Sequence, residues 1–251
     1  MAMEHQPSGS PQVGATTGDL DAAARALRIQ ILATEHWSLL ATRSLSWNES
    51  FARAGMFLTL LSGATVALAL VAQATAFGQG FVVFALLILP VVLFVGLATY
   101  VRLLEINNED YVWVRGMNRL RGAYLEVDPQ LAKYFITGTS EDAVGIFRTF
   151  GAHTASERSL DTGRFHALVT TPTTIAFVDS TLAAVLAGIV TVQLSPGSMA
   201  MPAAIGVITF FAAGVALALF GYRGQEMAHL TPPTPDGRAS ASANDQQERS
   251  V

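Results

Sequence analysis

The sequence lacks several of the residues on which enzyme and metal sites depend. None of its 251 residues is a cysteine, which excludes disulfides, thiol catalysis, iron–sulfur clusters and cysteine-bound zinc. Charged residues make up only 14% of the chain, against about a quarter in soluble domains. The formal net charge is −4, so bulk charge offers no footprint for nucleic acid. We therefore expect no nucleic-acid partner.

Motifs of catalysis and metal binding are missing as well. The sequence has no GxSxG nucleophile turn, no HExxH zinc helix and no phosphate-binding glycine loop with its lysine. Glu105 and Glu109 share a helix face and could bind a divalent cation, but they lack the histidine partners of a di-iron bundle. Pairing with arginines of the N-terminal helix is favoured for them. We predict no catalytic residue, no metal site, no cofactor and no enzyme activity.

Hydrophobic residues, in contrast, form 51% of the chain and gather in four long runs. A helix needs about 20 predominantly apolar residues to cross a bilayer, and three of the runs contain no charged residue. Buried helices of soluble proteins rarely stay uncharged over such lengths. The pattern predicts an all-α protein with four transmembrane helices, paired in two hairpins at 54–101 and 173–222. The runs themselves are residues 54–73, 81–101, 173–194 and 202–222.

Basic residues occur only in segments that would lie on one and the same side of a membrane crossed by these runs. Four precede the first run, eight lie between the second and the third, and three follow the fourth. The short connections 74–80 and 195–201 contain none. Because lysine and arginine concentrate in cytoplasmic loops, this distribution predicts a multi-pass protein of the inner or plasma membrane with both termini in the cytoplasm.

The chain before the first run is predicted to be helical after a polar start. Residues 1–18 are rich in polar residues and are expected to be disordered. Residues 19–53 are expected to form an amphipathic helix, cytoplasmic or at the membrane surface. Leu20, Leu27 and Ile31 recur there at helical spacing.

A cytoplasmic helical subdomain is predicted between the two hairpins, at residues 102–172. It begins as an extension of the second run and contains a second helix start at Asp128, with Pro129 in the first turn. A further short helix is expected to be capped by Thr139 or Ser140. The tail, residues 223–251, is rich in proline, serine and polar residues and is predicted to be disordered.

Asp179 is the only charged residue within any of the four runs. An ionisable residue in a membrane span marks a candidate site, and this one lies about 9 Å along its helix from residue 173, at 1.5 Å per residue. One interpretation is an anchor that reaches a helix N-terminus, a threonine, or Arg53 or Arg102 at the same membrane edge. The other is an ion- or proton-binding group that faces a cavity in the bundle.

Three arginines, Arg115, Arg119 and Arg121, lie close together on the predicted helix after the second run. Arg115 and Arg119 are four residues apart, where like charges repel unless an anion compensates them. Glu35 and Glu49 of the N-terminal helix are the partners that the sequence offers. Anionic lipid headgroups or an acidic partner protein are the functional alternative.

Small residues recur at four-residue spacing within the runs and permit close helix approach. Such seams fit either packing within one bundle or association of copies. The pairs are Gly63 with Ala67, Ala184 with Gly188, and Gly214 with Ala218.

Two stretches carry a resemblance to known proteins. The segment "HWSLLATRSLSWNESFARAGMFLTLLS" leads into the first run, and "EINNEDYVWVRGMNRLRGAYLE" follows the second. With them, most of residues 30–222 resembles uncharacterised bacterial four-span integral membrane proteins. The layout is also loosely similar to small membrane effectors with SLATT-type domains. The resemblance implies a fold and a location, and no functional residue follows from it.

Two functions are therefore expected as alternatives. The first is a non-enzymatic membrane scaffold, sensor or partner-binding module that acts through its cytoplasmic helices. The second is a homo-oligomeric pore or small transporter with Asp179 near the cytoplasmic mouth. The partners that these functions imply are the lipid bilayer, further copies of the chain and a cytoplasmic protein.

Overall fold

The structure, a computed structural model, describes residues 17–150, 170–195, 197 and 200–230, the last six of them in backbone only. All regular structure in this part of the chain is helical, and it contains no strand, which confirms the predicted all-α class. The helices are α1 (Thr17–Thr75), α2 (Gln79–Val127), a 3-10 helix (Pro129–Tyr134), α3 (Ala143–Thr149), α4 (Thr171–Leu194) and α5 (Ala200–Leu230).

Four of these helices, α1, α2, α4 and α5, are long and apolar enough to cross a membrane. Their apolar stretches match the four runs of the sequence. Large apolar side chains on them point outward, among them Met56, Leu87 and Phe211, and none of the most apolar stretch of α5 is buried. A helix that is apolar on all sides is typical of a lipid environment or a protein core.

The described residues divide into two compact units. The first comprises residues 17–45 and 111–150, and the second comprises the remaining described residues. Helices α1 and α2 contribute to both, since neither is interrupted at the predicted boundaries near residues 53 and 101. The unit borders instead lie at residues 45–46 and 110–111, so part of each predicted cytoplasmic segment packs with the apolar helices.

The first unit is built on an antiparallel pair of helices. Leu39 of α1 packs against the buried cluster formed by Val114, Met117 and Ile146. Towards the other end of the pair, the Arg28 guanidinium lies 2.9 Å from the Glu126 carboxylate. Between these contacts the His36 and Tyr124 rings stack, with centroids 6.0 Å apart.

Asn118 joins the 138–149 segment to α2 in the first unit. Its side chain is fully buried. Its amide Nδ2 donates to the Ser140 carbonyl at 2.9 Å, and its Oδ1 accepts from the Thr149 hydroxyl at 2.7 Å. A buried amide with both ends satisfied fixes a segment more specifically than apolar contact does.

The two short helices of this unit differ in how well the sequence predicts them. The 3-10 helix starts where predicted, since the Asp128 carboxylate accepts from the Gln130 amide at 2.9 Å and Pro129 occupies the first turn. The predicted caps of α3 were wrong. Asp142 caps it, accepting from the Gly145 amide at 2.8 Å, while Ser140 donates to the Asp142 carboxylate instead.

The second unit has an apolar core shared by α1, α2, α4 and α5. Phe57, Val92, Leu103 and Ile175 are buried in it, and Leu217 of α5 packs against it. The helices are also tied by polar contact, because the Tyr100 hydroxyl donates to a carbonyl of α5, that of Leu217, at 2.8 Å.

Small residues let α4 and α5 approach closely as an antiparallel pair. A side-chain carbon on Gly206 would lie 3.4 Å from the Ala184 carbonyl, and one on Gly188 would lie 3.8 Å from the Pro202 carbonyl. Ala184 and Gly188 therefore serve packing within the chain. Gly63, in contrast, has nothing within 4 Å of the corresponding position among the described residues, so the small pair on α1 takes no part in this packing.

The turn between α1 and α2 is shorter than the predicted connection. Ala76 and Phe77 adopt left-handed backbone angles, with φ of 45° and 57°. The Phe77 amide donates to the Ala72 carbonyl at 3.0 Å. Because side chains disfavour this conformation by about 1–2 kcal/mol per residue, the packed helices must hold the turn.

The helices extend into both terminal segments that were predicted to be disordered. Helix α1 starts at Thr17 and α5 continues to Leu230, so residues 17–18 and 223–230 are helical. The remaining predictions of disorder, for residues 1–16 and 231–251, lie outside the described residues, as does the last part of the predicted subdomain, residues 151–169.

The close approach of Gly138 to the Gly145 backbone gives a first prediction. A methyl group on Gly138 would overlap the Gly145 carbonyl. We expect Gly138→Ala to lower the free energy of unfolding by about 1–3 kcal/mol, as other overpacked sites do, measured by thermal unfolding in detergent. Gly63→Ala is the control, and a helix-interior glycine with open surroundings should instead gain about 0.5–1 kcal/mol. Equal stability of the two variants would contradict the described packing.

Candidate functional site

Asp179 lies on α4, inside the core of the second unit. The residue is 1% exposed. Both carboxylate oxygens are buried, and neither has a hydrogen-bond partner among the described residues. The predicted anchor to a helix N-terminus, a threonine or an arginine is therefore wrong for this part of the chain.

The carboxyl group occupies a notch on α2. Gly96 has no side chain, and a methyl group there would overlap the Asp179 carboxylate and lie 2.9 Å from a ring carbon of Phe57. The Asp179 carboxyl group thus lies against the Gly96 backbone and beside the aromatic ring. We call these three residues the Asp179 notch.

Arg53 and Arg102, the predicted partners of Asp179, bind other carboxylates. Arg102 Nε and Nη2 lie 3.0 and 3.1 Å from the two Glu49 oxygens, and its Nη1 lies 3.1 Å from Glu105 and 3.0 Å from Glu109. Arg53 binds Glu49 at 2.7 Å. We call these five residues the Arg102 cluster. Glu105 and Glu109 were expected to pair with arginines of α1, whereas their partner is on their own helix.

The Arg102 cluster is strongly charge-stabilised. Hydrogen bonds from Arg102 and then Arg53 lower the pKa of Glu49 to about 2. In return, the Glu49 carboxylate raises the pKa of Arg102. The bidentate contact of a guanidinium with a carboxylate is among the stronger polar contacts of proteins.

Arg115 and Arg119 share one carboxylate in the first unit. Arg119 lies 2.7 and 2.8 Å from the two Glu141 oxygens, and Arg115 lies 3.3 Å from one of them. The hydrogen bond from Arg119 is the main reason that the pKa of Glu141 is lowered. The predicted partners Glu35 and Glu49 were therefore wrong. Among the described residues, one carboxylate thus meets two guanidinium groups, so these three groups together carry net positive charge.

Arg121 lies in different surroundings from the other two arginines. Its Nη1 donates to Asn118 at 2.9 Å. Burial, and then the positive charge of Arg43, lower the pKa of Arg121. Burial and Arg121 in turn lower the pKa of His36. The three sequence-predicted arginines thus do not form one anion site, since only Arg115 and Arg119 meet at a shared group.

The described residues contain no group of three or more His, Cys, Asp or Glu side chains that could hold a metal ion. Comparisons with protein-family models, with curated proteins and with solved structures find no match.

Sequence reasoning missed three residues that define these sites. Gly96 is one of several glycines in the apolar runs and had no signal of its own. Glu141 lies beyond the helix of the arginines that it binds, in a segment predicted only as a helix start. Asn118 is a single amide within a charged stretch. Its burial could be found only from the packing of Leu39 of α1 against Val114 and Met117, which lie on the same side of α2 as Asn118.

Glu49 allows a pH-dependent prediction. Its pKa in the folded chain, about 2, lies below its ordinary value of 4.5, so the stability it contributes is present above about pH 4.5 and is lost as the pH falls towards 2. We expect Glu49→Gln to lower the melting temperature at neutral pH, and the difference from wild type to shrink in acid.

The control for this experiment is Glu126→Gln. Both side chains of the Arg28–Glu126 pair are exposed, and exposed ion pairs contribute at most about 1 kcal/mol to the free energy of unfolding. A Glu49→Gln variant that melts like wild type at neutral pH, or a difference that persists unchanged in acid, would contradict the role given to the Arg102 cluster.

Proposed function

We propose that the chain is a multi-pass protein of the inner or plasma membrane whose cytoplasmic helices bind a protein partner. Four apolar helices of sufficient length support the membrane location. All 15 basic residues lie in segments that this topology places on the same side of the membrane, which supports cytoplasmic termini. In this topology the two hairpins cross the bilayer, and the first unit lies in the cytoplasm.

The observation that carries partner binding is an apolar stripe on α1. Leu20, Leu27 and Ile31 are 59%, 58% and 61% exposed, and their spacing places them on one helix face. The side of α1 that packs against α2 is a different one, marked by Leu39. All residues from Thr17 to Ile31 are exposed, so the stripe predicted from the sequence lies on a part of α1 that the first unit leaves uncovered.

Other large apolar side chains of the first unit are exposed too. Ile136 is 84% exposed, and Phe147 of α3 is 66% exposed. Single exposed apolar residues are normal, but several on one small unit favour a surface that another molecule covers. The excess positive charge at Arg115 and Arg119 adds a preference for an acidic partner.

A pore receives less support. A carboxylate that serves permeation lines water, whereas Asp179 is almost completely buried within one copy of the chain. The partner-binding function needs no rearrangement of the apolar helices. We therefore place recognition in the first unit and propose no enzyme activity.

The stripe can be tested by a double variant, Leu27→Ser with Ile31→Ser. Because both side chains are exposed, the melting temperature should stay within a few degrees of wild type. Binding of a partner at this face should fall about tenfold or more, since truncation of apolar anchors commonly costs over 1.4 kcal/mol. The measurement is photo-crosslinking from position 24 in intact cells, with the cross-linked product identified by mass spectrometry.

Gln30→Ser, an exposed polar change on the same helix, is the matched control and should leave the cross-link intact. A cross-link to a second copy of the chain would identify self-association at the stripe instead. Cross-links to lipid alone, or a protein cross-link that survives the double variant, would refute the proposed function.

A further inference from the structure

The second unit holds a carboxyl group without the contacts that a charged carboxylate needs. Ionised groups in protein interiors are normally paired, hydrogen-bonded or bound to a metal. Asp179 is none of these among the residues that the structure describes. The Asp179 notch nevertheless fits its side chain closely, because only a glycine at position 96 leaves room for it.

Charged groups on the neighbouring helices are already used. From the Asp179 notch, the next charged residue along α1 is Arg53, which binds Glu49. The next along α2 is Arg102, which binds three carboxylates. The next along α5 is Arg223, which is exposed. The acids Glu105, Glu109 and Asp110 further along α2 carry the same sign as Asp179 and could not neutralise it.

Two tyrosines of these helices are likewise directed elsewhere. Tyr100 of α2 donates its hydroxyl to the Leu217 carbonyl at 2.8 Å, and Tyr222 of α5 is 66% exposed. Ser180, beside Asp179 in the sequence, donates to the Ala176 carbonyl of its own helix at 2.7 Å. The Asp179 notch thus places the carboxyl group against the Gly96 backbone and beside the Phe57 ring.

The surroundings of the Asp179 carboxyl group suit a proton and not a metal ion. Sodium, magnesium and calcium ions need several oxygen ligands, and the described residues contain no group of three or more His, Cys, Asp or Glu side chains, at Asp179 or elsewhere, that could hold a metal ion. A proton needs only the carboxylate itself and removes the charge that the apolar surroundings disfavour. The neutral acid is therefore the form that fits the notch.

We propose that the Asp179 notch is a proton-binding site, in which the neutral carboxylic acid packs α4 against Gly96 of α2, and loss of the proton drives the side chain out of the notch. The step moves one proton between the Asp179 carboxyl group and water and breaks no other bond. This inference is independent of partner binding by the first unit, because all of its residues belong to the second.

The first test compares wild type with Asp179→Asn across about pH 5 to pH 9 in detergent. Asparagine has nearly the same shape and stays neutral. If the packed form holds the neutral acid, wild type should lose melting temperature relative to the variant as the pH rises, by at least about 3 °C over this range. His36 and Glu49 titrate in both proteins, so their effects cancel in the difference. A difference that is constant, or that narrows as the pH rises, would overturn the proposal.

The second test distinguishes a proton from a cation. Dicyclohexylcarbodiimide, a membrane-soluble reagent, adds to neutral carboxylic acids, and full-length protein in liposomes would be labelled and mapped by mass spectrometry. Asp179 should be labelled, and the label should not change with sodium, potassium or magnesium at constant pH. Protection by any of these ions would overturn the proton site in favour of a cation site.

Gly96→Ala tests the notch itself. The added methyl would displace the carboxyl group, so this variant should melt at least about 3 °C below wild type and lose the pH-dependent difference from its own Asp179→Asn double variant. Gly188→Ala is the matched control, since its methyl would meet only an ordinary contact at 3.8 Å. A Gly96→Ala protein that keeps the stability and pH response of wild type would overturn the proposal.

Discussion

Arg102 joins α1 to α2 where their apolar stretches end. One guanidinium group binds Glu49 across the helix pair and both Glu105 and Glu109 on its own helix. A cation with three anionic partners is fully engaged, and Arg53 is engaged with it through Glu49. These ion pairs affect the apolar core only indirectly, because they engage the two arginines nearest to Asp179 along α1 and α2. Because Arg53 and Arg102 bind other carboxylates, the buried Asp179 carboxyl group has no counter-ion among the described residues.

The Arg102 cluster and the Asp179 notch of the second unit therefore follow different physical rules. In the Arg102 cluster, acids and bases lie within hydrogen-bond distance and stabilise each other's charged forms. In the Asp179 notch, the surroundings supply no such contact, and the cost of charge must be avoided by neutralisation. The Arg102 cluster and the Asp179 notch are only a short distance apart along the helices. Similarly, in the first unit Glu141 serves Arg115 and Arg119, while Arg121 depends on a neutral amide.

The sequence predicts the parts of this structure that depend on long-range averages. Four apolar runs indicate four long helices, because uncharged stretches of that length have few other solutions. Specific partners depend on single side chains brought together from distant positions. Nothing near Arg119 in the sequence points to Glu141, and no periodicity separates Gly96 from other glycines. The stripe of Leu20, Leu27 and Ile31 shows the same limit, since spacing predicts a face without saying what lies against it.

The two short connections of the apolar helices bear on how the chain is assembled. Helices α1 and α2 are joined through the tight turn at Ala76 and Phe77, and α4 and α5 meet along the seam at Ala184 and Gly206. Contacts that are local in sequence form early, and long-range ones form late. Each hairpin can close as soon as it is synthesised, whereas the fit of α4 onto Gly96 requires both. Docking of one hairpin on the other therefore follows the closing of each, and Asp179, the only acid of the four apolar runs, lies where the two hairpins meet.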